Sequence, residues 1–256
     1  MVNPPTTEPA TPAAGPKHPD HGDLLGLYLH IPFCVKKCAY CDFYSVTDFS
    51  LRAAFTAALE KEMRLAAGGQ RPPVDTIHLG GGTPSVLAAG QITGLLDTAR
   101  QCFRVLPTAE ITVETNPESL TRPWLTALRK AGVNRLTIGV QSLDNTELAF
   151  LGRAHDAARA RQAVTMAADC GFVNTGLDLI YGLPGQTRAD LAASLHQALA
   201  LEPAHLSCYL LTLEPGTPLA AAGDRKEFTP LDDAAAGDLF DFVGKFLADQ
   251  GFARYE

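Results

Sequence analysis

The sequence predicts an α/β fold, a partial and open (β/α)6 barrel, and three observations carry that reading. Strand-like apolar runs alternate six times with longer segments of helical period. Such alternation gives a parallel sheet with helices outside it. Glycine, proline and capping residues punctuate the segments. The motifs rich in cysteine, glycine and polar residues nearly all follow the C-terminal ends of strands, where folds of this class place their sites. Six units are too few to close an eight-fold barrel.

The elements follow in order. Residues 25–31 read as a first strand. Residues 50–67 form a helix with Leu51, Phe55, Leu59 and Met63 four apart, stopped at Gly68-Gly69. A strand over 76–79 ends in Gly80-Gly81-Gly82 and precedes a helix over 91–103. A strand over 110–115 leads to a helix over 122–131, stopped by Gly132. The strand over 135–140 is followed by a helix over 157–170, stopped by Gly171. A strand over 174–180 leads to a helix over 188–200, capped by Thr187 and ended by Glu202-Pro203. Residues 206–213 are the sixth strand. The last helix opens at Thr229-Pro230-Leu231-Asp232, a cap followed by proline at the first position, and runs to about residue 250. Gly251 to Glu256 read as a helix stop and the start of another strand, so the chain is expected to be a fragment.

Residues 1–23 are rich in Pro, Thr and Ala without apolar period, and are expected to be a disordered extension to a core domain over 24–256. With 256 residues, 46% hydrophobic and 19% charged, the chain can bury a full core. A net charge of -7 argues against broad contact with nucleic acid or anionic membrane. No apolar run is long enough for a transmembrane segment, and no secretory signal is visible. Cys102, Cys170 and Cys208 stand alone in or beside apolar stretches and read as buried or bystander thiols. A reducing, cytoplasmic compartment fits this usage.

The chemistry concentrates at Cys34, Cys38 and Cys41, spaced C-x3-C-x2-C directly after the first strand. Iron–sulfur clusters and structural zinc sites normally take four protein ligands. A tight trio therefore implies a centre with one position left for something else. A [4Fe-4S] cluster with one iron unligated by protein is the favoured reading, and a zinc site completed by a histidine such as His30 is the alternative.

The trio, with Tyr40 before its last cysteine, resembles the signature of the radical S-adenosyl-L-methionine (SAM) superfamily. That resemblance implies a barrel of the radical SAM type, in which the open iron chelates the amino and carboxylate groups of SAM. The wider string from Tyr28 to Cys34 resembles the oxygen-independent coproporphyrinogen III oxidase family and its close relatives, the radical SAM heme chaperones. Gly80-Gly81-Gly82-Thr83-Pro84, Gly139-Val140-Gln141-Ser142, Leu151-Gly152-Arg153 and the run from Asp178 to Thr187 continue the match in the same order. The resemblance implies that Tyr28, Tyr40, Gly81, Gly82, Thr83, Glu114, Gln141, Arg153 and Asp178 bind SAM. Backbone groups of the glycine loop suit its ammonium. Carboxylates at strand ends suit ribose hydroxyls, and arginine can clamp a carboxylate.

Phe43 stands where the oxidases carry a further cysteine, which tilts the resemblance towards the heme chaperones. The implied partners are then heme or a porphyrinogen, an electron donor for the cluster, and heme-acceptor proteins. The resemblance implies a distal heme-handling motif in the C-terminal region of that branch, and the chain is expected to end before it.

Overall fold

The computed structural model describes residues 24–256, so the expectation for residues 1–23 lies outside the described residues. Six strands pair in their sequence order: β1 (Leu25–Ile31), β2 (Pro73–Gly81), β3 (Arg104–Thr115), β4 (Arg135–Gln141), β5 (Asn174–Tyr181) and β6 (His205–Leu210). Every pairing is parallel. The sheet does not close, since β1 and β6 are its two edges. Parallel pairing of neighbours requires each crossover to return the chain to the same end. The helices α1 (Arg52–Ala67), α2 (Ala89–Cys102), α3 (Arg122–Lys130), α5 (Ala157–Asp169) and α6 (Arg188–Leu199) supply those crossovers.

The core lies between the sheet and its helices. Leu136, Ile138 and Val140 of β4 are fully buried, as are Leu95 and Leu96 of α2 and Leu125 and Leu128 of α3. Trp124 adds a buried hydrogen bond, its indole N–H donating to the Leu87 carbonyl at 3.0 Å. The other sheet face carries His78, Glu114, Arg135, Asp178 and Ser207, all partly exposed. Residues alternate between the faces of a strand, so each strand serves the core with one set of side chains and the lumen with the other.

Some boundaries differ from expectation. β3 begins at Arg104, six residues early, because a register shift between Val74 and Thr76 lets β2 pair twice with it. β6 stops at Leu210, and past it the Leu211 N–H still bonds to the sheet, at 2.8 Å from the Tyr181 carbonyl. The last helix, α8 (Asp233–Asp249), is capped by Asp232, which accepts from Ala235 N–H at 2.8 Å, and not by Thr229. The cap-then-proline signal is instead realised earlier, where Thr217 and Pro218 open α7 (Pro218–Asp224). That helix was not expected, nor was α4 (Asn145–Phe150), capped by Asp144. Both are too short to show an apolar period. Residues 252–256 form no strand, and Tyr255 bonds His205 through its hydroxyl at 2.6 Å.

Because Ile138 is fully enclosed on the central strand β4, Ile138→Ala should destabilise the fold by about 2–5 kcal/mol. Urea unfolding followed by circular dichroism reads this directly, and a cost below about 1 kcal/mol would contradict a rigid core at β4.

Candidate functional site

The three cysteines sit on the loop that leaves β1. Phe33 forms a bridge with Val46, and the Cys34 N–H donates to the Val46 carbonyl at 2.9 Å, closing the loop on itself. Cys34 is buried, with Sγ 3.4 Å from Thr83 Oγ1; Cys38 and Cys41 are half-buried. Two further backbone bonds strap the loop from outside. Ala39 N–H donates to the Leu151 carbonyl at 3.3 Å, and Leu219 N–H donates to the Ala39 carbonyl at 2.9 Å. Two segments distant in sequence thus fix the middle of the cysteine loop.

The glycine run ends β2 immediately behind that loop. A Cβ on Gly82 would stand 2.9 Å from the Phe33 carbonyl and 3.0 Å from Cys34 Sγ. Gly81 has φ +113, and a Cβ there would meet the His30 ring at 2.7 Å. Glycine is required at both positions, by close approach at the first and by backbone conformation and approach at the second. The Gly82 N–H donates to the Ile31 carbonyl at 2.8 Å, so the run also extends the β1–β2 pairing past the strand end.

The ends of β3, β4 and β5 complete the rim. Asn116, just past β3, donates through Nδ2 to Thr83 Oγ1 at 3.0 Å and accepts through Oδ1 from Arg153 Nη2 at 2.7 Å. Gln141 ends β4 with φ +65, a left-handed conformation rare outside glycine, asparagine and aspartate. Backbone strain of this kind persists where surrounding structure holds it, and clusters at functional sites. Glu114 accepts from His78 Nε2 at 2.8 Å and from the Gly81 N–H at 3.2 Å. Asp178 lies across β5, and burial, the largest influence, pushes its carboxyl up to about 7. The Glu114 charge adds to that rise, while a Ser207 hydrogen bond and the Arg153 and Arg135 charges oppose it.

Arg153 occupies the centre of this rim, with hydrogen bonds to Cys38 Sγ, the Tyr40 hydroxyl, Asn116 and the Gly139 carbonyl. Burial pushes the Tyr40 phenol up, against the pull of Arg153. Tyr28 stands farther out on edge strand β1, 57% exposed, its hydroxyl 3.2 Å from His30 Nδ1. The other His30 nitrogen lies 3.3 Å from the Tyr44 carbonyl, so that ring is engaged by protein on both sides. Among the described residues, no three His, Cys, Asp or Glu side chains converge as ligands of a single ion.

The residues expected from sequence thus gather on one rim, with Tyr28 at its outer edge. Sequence reasoning missed Asn116, His78 and a second layer beneath. In that layer buried His155 bonds the Val140 carbonyl through Nε2 at 3.1 Å and faces Glu118 Oε2 through Nδ1 at 3.3 Å. Burial alone would raise the Glu118 carboxyl, but the His155 bond and the Arg153 charge outweigh it and hold it below its usual range. Gln186 donates to Glu147 at 2.7 Å and accepts from the Gly182 N–H at 2.8 Å, while Ser142 bonds the same Glu147 carboxylate. Ser142 and Gln186 lie within motifs quoted from the sequence, but with no role assigned, and Asn116 stood at a strand end beside Pro117; nothing marked the others in advance. Of the isolated cysteines Cys102 is buried and Cys170 and Cys208 are half-buried; all three are free thiols, and burial, with the Asp178 charge, pushes Cys208 up to about 12.

A three-thiol loop presented at the C-terminal rim of an open, all-parallel β/α sheet defines a radical SAM protein. Residues 28–198 match the Radical SAM superfamily, and the chain belongs to it. Within that class it is similar to the heme chaperone HemW. It is 40% identical to HemW of Mycobacterium tuberculosis over 243 residues, covering 93% of this chain and 62% of that protein. It is 39% identical to HemW of Escherichia coli, covering 91% of this chain and 61% of the relative. Among solved structures, coproporphyrinogen III oxidase (HemN) from Escherichia coli, a radical SAM enzyme, superposes with a TM-score of 0.79 at 31% identity, covering 90% of this chain and 54% of that one. The chain therefore spans about three-fifths of the length of the curated relatives it matches.

Two consequences are measurable. Gly82→Ala should abolish iron uptake on anaerobic reconstitution while leaving the far-ultraviolet spectrum intact; normal iron content would show that the loop can yield to a Cβ. The folded chain binds a proton at Asp178 up to about pH 7 that the unfolded chain releases near its ordinary value. Stability attributable to this group therefore falls as pH rises between those values. Asp178→Asn should raise the melting temperature of the ligand-free protein at pH 8 and change it little at pH 4. A larger gain at pH 4 would reverse the sign.

Proposed function

We propose that this chain is the SAM-binding core of a heme chaperone. In this reading Cys34, Cys38 and Cys41 hold a [4Fe-4S] cluster, and SAM binds across the strand ends. The observation that carries it is the donor set: three thiols on one strapped loop, with a glycine behind Cys34 that leaves no room for a Cβ, and Thr83 and Arg153 bonded to two of the thiols. Three soft thiolates suit an iron–sulfur cluster, and leave one iron to a bidentate ligand. When bound and reduced, the cluster supplies the electron for cleaving the sulfonium of SAM.

The chain's own residues then divide the binding. Tyr40 lies within the cluster loop and Tyr28 on β1 before it. The backbone of Gly81, Gly82 and Thr83 offers polar groups to the ammonium end. Glu114 and Asp178 offer carboxylates to ribose hydroxyls, and a proton held by Asp178 near neutral pH would let it donate as well as accept. Gln141 and Arg153 close the rim at β4. Arg153 already serves four acceptors through Nη1 and Nη2 and keeps Nε without a partner, the donor left for a SAM carboxylate.

Heme as cargo, its acceptor proteins and an electron donor follow from the likeness to HemW and belong to the whole protein. No helix among the described residues is long and apolar enough to cross a membrane. Six free thiols suit a reducing, cytoplasmic setting. The likeness to HemN supports a second reading, a coproporphyrinogen III oxidase making protoporphyrinogen IX by radical decarboxylation of propionates. Phe43, 73% exposed on the loop in place of a further thiol, favours the first.

Anaerobic reconstitution should give iron and sulfide matching one [4Fe-4S] cluster per chain. Cys34→Ser, Cys38→Ser and Cys41→Ser should each lose it, whereas Cys170→Ser keeps it. Zinc in place of iron would overturn the proposal. The full-length protein should take up heme stoichiometrically and leave coproporphyrinogen III unchanged in the presence of SAM and reductant; protoporphyrinogen formation would install the second reading.

A further inference from the structure

Arg153 does more than border the rim. Gly152, with φ +70, turns the chain after α4 so that Arg153 projects beneath the cysteine loop. Its Nη1 donates to Cys38 Sγ at 3.3 Å and to the Tyr40 hydroxyl at 3.4 Å. Its Nη2 donates to Asn116 Oδ1 at 2.7 Å and to the Gly139 carbonyl at 2.9 Å. Nε is buried without a partner. Among the described residues, no other basic side chain has a hydrogen bond to a cysteine of the trio.

We infer that Arg153 sets the reduction potential of the cluster by holding a guanidinium N–H against the Cys38 thiolate. This rests on the reading that the trio carries a [4Fe-4S] cluster. Reduction adds one electron, spread partly over the sulfurs. The potentials of such clusters respond to hydrogen bonds on those sulfurs, to net charge and to exposure. Arginine stays protonated, and a fixed positive donor stabilises the reduced form more than the oxidised one. Four acceptors on two strand ends and the loop hold the group, so it cannot swing away when the charge changes. The nearby Glu118 carboxylate, bonded to His155 at 3.3 Å, also feels the guanidinium charge, but it makes no hydrogen bond to it, so the directed N–H on the loop is the one to Cys38. Arg153 thus acts as a positioning and tuning residue.

The test is a redox titration of the reconstituted chain without SAM, followed by electron paramagnetic resonance, so that no SAM carboxylate contact enters. Arg153→Gln should lower the potential, reducing the ratio of reduced to oxidised cluster at fixed solution potential about tenfold, which is about 59 mV for one electron. Arg153→Lys keeps the charge but cannot span the same four acceptors, and should shift the potential the same way by less. It supplies the measurement if Arg153→Gln takes up no iron. A cluster whose potential is unmoved in either variant overturns this inference alone. A wild-type chain that takes up no cluster overturns the proposed function and this inference with it.

Discussion

Parallel pairing in strict sequence order is the constraint on which the rest depends. Because each strand joins its predecessor in parallel, all six C-terminal ends arrive at one rim. A chain that winds this way gathers loops from positions as far apart as Cys34 and Asp178 without any local device. The polar face of the sheet is then a lumen, and its open edge leaves that lumen reachable. Helices outside protect the opposite face, where β4 is buried completely.

The rim itself is tied together by polar side chains rather than by apolar packing. Asn116 links the glycine loop to Arg153, and Arg153 links both to the cysteine loop. Backbone bonds from the Ala39 N–H to Leu151 and from the Leu219 N–H to the Ala39 carbonyl hold that loop from its other side. In a half-buried setting such networks are strong when every member is satisfied. The unpartnered Arg153 Nε and the left-handed Gln141 mark where the network is stretched, and both lie at the proposed ligand site.

Charge organises the rim further. Glu114 is held by His78 and Gly81, whereas Asp178 is held up near neutrality by burial and by Glu114 itself. The two carboxylates share one face of the sheet, and burial raises Asp178 enough for it to hold a proton and donate near neutral pH.

The six β/α units, the cysteine trio and the glycine run were legible in the residues because each is a local pattern: a period, a spacing, a punctuation. Short helices such as α4 and α7 were not, since one or two turns carry no period and Thr229-Pro230 looked as good a start as Thr217-Pro218. The sequence by itself determined which residues could bind a cluster and which end of the sheet would bear them. Only the tertiary structure decided that Asn116, His78 and Glu118 belong with them, and that Arg153 bonds a thiol. Those contacts join residues separated by thirty or more positions, and the geometry that selects them exists only after the strands have paired.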